Sequence, residues 1–229
     1  MSTDRAHVAA PIVAGAGRGT VIVGRFSAPR EELRIVAFID LVGSTGIAER
    51  LGSVRYHAFL SDVFTRLSQI VTAFAGEVHR IVGDTLIVTW PLASGDENAR
   101  AFRAVFECRK ALETSAPHFE RRYGECAAFR ASLHCGPLVA AEIGGMKGEV
   151  ALVGDAMNTA SRIEQVCRTT GHRVIVSRAL LMCAALPFDL TATSIGVRRL
   201  RGKAERVELF ALENSEASVG PVSLFRACA

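Results

Sequence analysis

The chain has 229 residues, 49% hydrophobic and 22% charged, and its 27 Lys and Arg against 23 Asp and Glu leave a net charge of +4. That length suits one sizeable core with tails, and charge-free runs such as "ALLMCAALPF" at 179–188 are too short to span a bilayer. The mild basic excess suits an anionic ligand but lacks the concentrated Lys/Arg face of a nucleic-acid binder, so no nucleic-acid partner is expected.

Residues 1–32 read as a flexible lead-in rich in Gly, Ala and Pro, with no basic start followed by a sustained apolar run of the secretory type. Residues 33–41 read as a buried strand that stops at Gly43. From Ser44 the apolar spacing turns helical (Ile47, Leu51, Val54, Phe59, Val63, Leu67, Ile70, Val71, Phe74), with a break at Gly52 and an end at Gly76. "EVHRIVGDTLIVTWP" at 77–91 predicts two strands joined by a tight turn at Gly83-Asp84. One long helix is expected over about 96–121, then separate strands at 127–136 and 138–144, a "GGMKGE" turn and a short strand at 149–153. "GDAMNTASRIEQVC" predicts a turn feeding a helix, followed by a strand in "HRVIVS", a helix in "RALLMCAAL", and strands near 190–200 and 206–212. The expected domain is therefore 33–213, with 214–229 a loose tail. The order of elements predicts an α+β fold: a ferredoxin-like βαββαβ core with extra strands, its mixed, mainly antiparallel sheet covered by helices. The six cysteines show no CxxC pair or metal-finger spacing and read as reduced, mostly buried residues, which favours a cytoplasmic setting.

Four stretches carry candidate chemistry. In "RIVAFIDLVGST" (34–45) a lone carboxylate, Asp40, ends an apolar strand ahead of a small-residue turn and a helix N-terminus. That is a setting for an anion beside a hard cation, although Ser44 as a helix cap and Asp40 as a solvated strand end would account for it equally. Asp84 occupies a similar place in "RIVGDTLIV"; if the two strands are neighbours, the acids converge and require a divalent cation. In "GDAMNTASRIE", Asn158 and Arg162 are four residues apart and share a helix face, an amide for a hydroxyl and a guanidinium for phosphate charge, with Asp155 a plausible N-cap. "RRLRGKAERVELF" gathers Arg198, Arg199, Arg201 and Lys203, suited to a triphosphate or to a solvated turn.

Taken together, "FIDLVGST", "RIVGDTLIV", "LHCGPLVAAEIG", "GDAMNTASR" and "LRGKAERVELFAL" resemble, in order and spacing, the catalytic domain of class III nucleotidyl cyclases over about residues 33–213. The resemblance implies a head-to-tail homodimer with active sites at its interface, a nucleoside triphosphate substrate, ATP foremost, and two Mg2+ or Mn2+ ions per active site. It casts Asp40, Asp84 and the Leu41 carbonyl as metal ligands and Val42, Gly43, Ser44 and Thr45 as phosphate neighbours. From the partner subunit, Asn158 would orient the ribose and Arg162 would stabilise the transition state. Arg201 falls at the triphosphate-binding position, with Lys203 a nearby alternative. The opening "GRFSAPREELRIVAFIDLVGSTGIAERLG" also resembles the junction of bacterial cyclases that follows membrane helices, so a membrane or regulatory segment outside this chain is expected.

The two positions that choose the base depart from the family's pattern. Adenylate cyclases usually carry Lys and Asp or Thr where this chain has Arg80 and Ala151, and guanylate cyclases commonly carry Glu and Cys there. Arg80 can donate to a ring acceptor, whereas the Ala151 side chain cannot accept from an exocyclic amine. The expected activity is ATP to cyclic AMP. The alternatives are cyclisation of GTP or a pyrimidine nucleotide, and a catalytically silent nucleotide-binding or dimerisation module.

Overall fold

The computed structural model describes residues 29–93, 95–143, 149–203 and 205–215. Most of the lead-in, the 216–229 stretch of the tail and most of the "GGMKGE" turn lie outside them.

The first strand, β1 (Arg30–Leu41), alternates its side chains between two apolar environments, and this alternation builds the domain. Ile35, Ala37 and Ile39 face a core shared with α1 (Ser44–Ala73), α2 (Ala99–Thr114) and α3 (Ala116–Tyr123), where Phe59, Phe102 and Phe119 are fully buried. Val36 faces the opposite way and packs with Leu138, Ala156 and Ala160 beneath α4 (Asp155–Thr170). A strand apolar on both faces is what a sheet covered on both sides demands.

Beyond β1 come β2 (Glu77–Val82), β3 (Thr85–Pro91), β4 (Phe129–Ile143), β5 (Glu149–Val153), β6 (Val174–Ser177), the short helix α5 (Arg178–Cys183), β7 (Leu190–Arg199) and β8 (Arg206–Asn214). The sheet order is β2-β3-β1-β4-β6-β8-β7, with β5 paired to β4. Among the described residues only the β4–β6 pairing is parallel. The β2-β3-β1-β4 block is the expected ferredoxin-like core, and β5 to β8 are the added strands.

The break expected at Gly52 is present: with φ 70° and ψ 163° it kinks α1 between two helical segments, because glycine turns the chain there without a Cβ penalty. Two boundaries differ from expectation. The helix expected over 96–121 is divided at Ser115: a 3-10 turn (Gly95–Asn98) leads into α2, and Pro117 opens α3, where its missing N–H is tolerated. The strands expected at 127–136 and 138–144 are one long β4 running through Pro137. Pro137 falls between the residues of β4 that pair with β6 (131–133) and those that pair with β5 (139–143), a gap where a residue with no N–H is accommodated. Cys108, Cys135 and Cys167 are buried free thiols, and Cys183 is exposed. No helix among the described residues is long and apolar enough to cross a membrane.

Candidate active site

The β1–β3 register sets Asp40 opposite Thr85, so Asp84, in the turn just before Thr85, arrives beside the end of β1. The Leu41 N–H donates to the Asp84 carbonyl at 3.1 Å and locks that approach. Asp40 is 2% exposed, on the face of β1 that looks toward α4. Its Oδ1 accepts from Thr85 Oγ1 at 2.9 Å and from Arg168 Nη2 at 2.7 Å. Burial pushes the Asp40 carboxyl up to about 6; nearby Glu164 and Asp84 push the same way, while Thr85 and Arg168 oppose.

The turn after β1 is more specific than a generic anion cradle. Gly43, with φ 70°, holds the cap position just before α1, and Ser44 does not cap the helix: its hydroxyl donates to Asp84 Oδ2. The Val42 N–H is committed to the Ala128 carbonyl at 2.8 Å, so N–H groups that could meet a phosphate come from the first turn of α1, at Ser44 and Thr45. Tyr56 lies near the acids, and burial together with the Asp84 charge raises its phenol pKa.

Asn158 and Arg162 do share the outward side of α4, away from the buried Ala156, Ala160, Ile163 and Cys167. Asn158 is exposed and Arg162 half-buried. Asp155 is the first residue of α4, behind Gly154 at the cap position; it pairs with Lys203, whose ammonium also donates to Thr159 Oγ1 at 3.0 Å. Lys203 is thus engaged by α4, whereas Arg201 is exposed in the turn between β7 and β8. Behind this contact His134, 9% exposed, shares a 2.7 Å hydrogen bond with Ser177 Oγ. Burial, helped by the Lys203 charge, pushes its imidazole down to about 4. Arg80 stands on β2 opposite Ile87, beside a register shift, and Ala151 stands on β5 opposite Ala141.

With this geometry in place, comparison with known proteins is decisive. Residues 27–214 match the family described as adenylate and guanylate cyclase catalytic domain. The chain belongs to that family. Adenylate cyclase 2 of Rhizobium meliloti (strain 1021) is 34% identical over 193 residues, covering 84% of this chain and 53% of that protein. The receptor-type guanylate cyclase Gyc76C of Drosophila melanogaster is 28% identical over 138 residues, 58% of this chain and 9% of that protein. The cyclase domain therefore spans about half the length of the first relative and far less of the second. Among solved structures, the adenylyl cyclase CyaB from P. aeruginosa superposes with TM-score 0.72 at 17% identity, covering 84% of this chain and 100% of that one. The guanylate cyclase domain of RhGC from Catenaria anguillulae, in complex with GTP, gives 0.68 at 22%, covering 81% and 98%. These two share the fold.

The expected donors, the Asp40 and Asp84 carboxylates and the Leu41 carbonyl, are oxygen ligands of the type Mg2+ and Mn2+ take, so their chemistry fits a hard divalent cation. No cluster of three or more His, Cys, Asp or Glu ligands is present among the described residues. Sequence reasoning missed Thr85, Tyr56, Glu164 and Arg168. Thr85 follows from the register once the hairpin turn at Gly83-Asp84 is recognised. The other three reach the acids only through the way the helices cross the sheet, for which linear spacing carries no signal.

Proposed function

We propose that the cyclase domain converts ATP to 3′,5′-cyclic AMP and pyrophosphate at the interface of a head-to-tail homodimer. The observation that carries this reading is the meeting of Asp40 and Asp84 at the end of β1 while Asn158 and Arg162 face outward from the same chain. The name of the 34%-identical relative favours ATP. On this reading one chain holds two half-sites, and a second copy related by a two-fold axis completes both.

Asp40, Asp84 and the Leu41 carbonyl would hold Mg2+ or Mn2+, two per site, which supplies charge neutralisation of the triphosphate and acidifies the ribose 3′-hydroxyl. The first turn of α1, at Gly43, Ser44 and Thr45, presents N–H groups to phosphate oxygens. Arg201 binds the triphosphate. Asn158 of the other subunit holds the ribose so that its 3′-oxygen points at the α-phosphorus. Arg162 stabilises the negative charge that grows on the α-phosphate as the 3′-oxygen bond forms and the bond to the β-phosphate bridging oxygen breaks. Both electrons of the broken bond leave with pyrophosphate.

The test is product identification from ATP, GTP, CTP and UTP supplied in turn with Mn2+. Cyclic AMP as the main product supports the reading. Arg80 and Ala151 favour a second one, cyclisation of GTP or a pyrimidine nucleotide, and a different main product would establish it. No cyclic product from any nucleotide would leave a silent nucleotide-binding module. A cytoplasmic location follows from the substrate class and is tested by fractionation.

A further inference from the structure

Asp40 is 2% exposed, and a carboxylate so thoroughly removed from water requires a cation or protonation. The cation present is Arg168. Its Nη2 donates to Asp40 Oδ1 at 2.7 Å while its Nε donates to Glu164 Oε1 at 2.6 Å. The charge of Asp84 reaches the same guanidinium. Glu164, 7% exposed, is nearly as buried as Asp40. Asp40 with the charges that act on it, Glu164, Asp84 and Arg168, carries a net −2, which exchange of the guanidinium for one divalent cation lowers to −1.

The Arg168 side chain differs from its partners in one respect: it is 49% exposed and rises from the last turn of α4. It can move its tip into water at little desolvation cost. Its bond to Glu164, one helical turn back, supplies a pivot that persists when the bond to Asp40 opens. Keeping the guanidinium in place beside a divalent cation would set like charges against each other in a poorly solvated site.

We propose that Arg168 is a positioning residue: the resident counter-ion of Asp40, which keeps the acid pair assembled in the metal-free protein and is exchanged for the divalent cation. The proposal rests on the assignment of Asp40 and Asp84 as metal ligands. It makes metal binding a competition, so the intact protein binds metal more weakly than its carboxylates alone would.

Mn2+ binding to the purified protein without nucleotide, read by electron paramagnetic resonance, tests this. R168Q is expected to bind about tenfold more tightly than wild type, and R168K, which keeps the charge, to remain within about twofold of it. An R168Q affinity equal to or below wild type overturns the proposal. Should R168Q fail to fold, the wild-type Arg Nε–Hε spectrum decides: saturating Mg2+ should shift the Arg168 signal, identified by its loss in R168K, and an unmoved signal overturns the proposal. D40N separates the two readings. If D40N binds Mn2+ like wild type, the acid-pair assignment fails and the proposal with it. If D40N loses Mn2+ while R168Q gains nothing, the proposal alone fails.

Discussion

The two faces of the sheet solve different problems. Under α1, α2 and α3 the core is large and aromatic: Phe59 meets Phe119 and Tyr123 edge-on at 5.6 and 5.4 Å between ring centres, and β1 contributes Ile35, Ala37 and Ile39. Under α4 the apolar packing is divided into two smaller clusters without aromatic rings at their centres, Val36 with Leu138, Ala156 and Ala160, and Ile163 with Cys167, Ile175, Leu200 and Leu209. Charged and polar groups surround it: Asp40 with Arg168, Ser132 on the Ala160 carbonyl, and His134 on Ser177. One face supplies stability through dispersion and burial, and that rigidity lets the other hold ionisable groups in geometries costly on a softer support.

The comparison breaks most sharply at the acids. D40N or D84N should lower turnover on the order of 10³-fold or more, with the circular-dichroism spectrum unchanged; full activity would remove the metal assignment. If the site is shared between subunits, mixing inactive D40N with inactive R162A should restore about a quarter of wild-type turnover, since half the dimers are mixed and each keeps one intact site. No recovery after subunit exchange would place both halves in one chain.

On the aromatic face, F59A should cost about 3–5 kcal/mol in urea unfolding, because Phe59 is fully buried among rings that cannot collapse into the space. A comparable cost for A160V under α4 would show that the two faces are equally tightly packed.

His134 gives the polar face a pH signature. Its imidazole is pushed from 6.5 down to about 4, so the folded protein prefers it neutral. The stability this contributes is fully present above pH 6.5, declines as pH falls toward 4, and amounts to about 3 kcal/mol. H134L should flatten that part of the stability–pH curve; an unchanged slope would assign it elsewhere. The smallest effect belongs to K203M. Loss of the bridge to Asp155 and Thr159 should lower kcat about tenfold with the fold retained, by loosening the α4 turn that carries Asn158.

Much of this was legible in the linear chain because it is local. The hairpin at Gly83-Asp84, the strand ending at Asp40 and the i,i+4 relation of Asn158 and Arg162 each depend on residues within one or two turns of one another. The break at Gly52 is local in the same way, whereas the strand boundary misread at Pro137 came from a residue that passes through β4 between its pairings with β6 and β5.

The sequence by itself determined the order of elements, the apolar alternation of β1 and the family, since periodicity and motif spacing are properties of the chain. Only the tertiary structure decided which side chains share a charge. Arg168 reaches Asp40 across 128 residues of sequence, Lys203 reaches Asp155 across 48, and Ser44 turns to Asp84 instead of capping its helix. The reason is physical: burial makes an unpaired charge costly, and which cation relieves it depends on how helices cross the sheet, which no local pattern encodes.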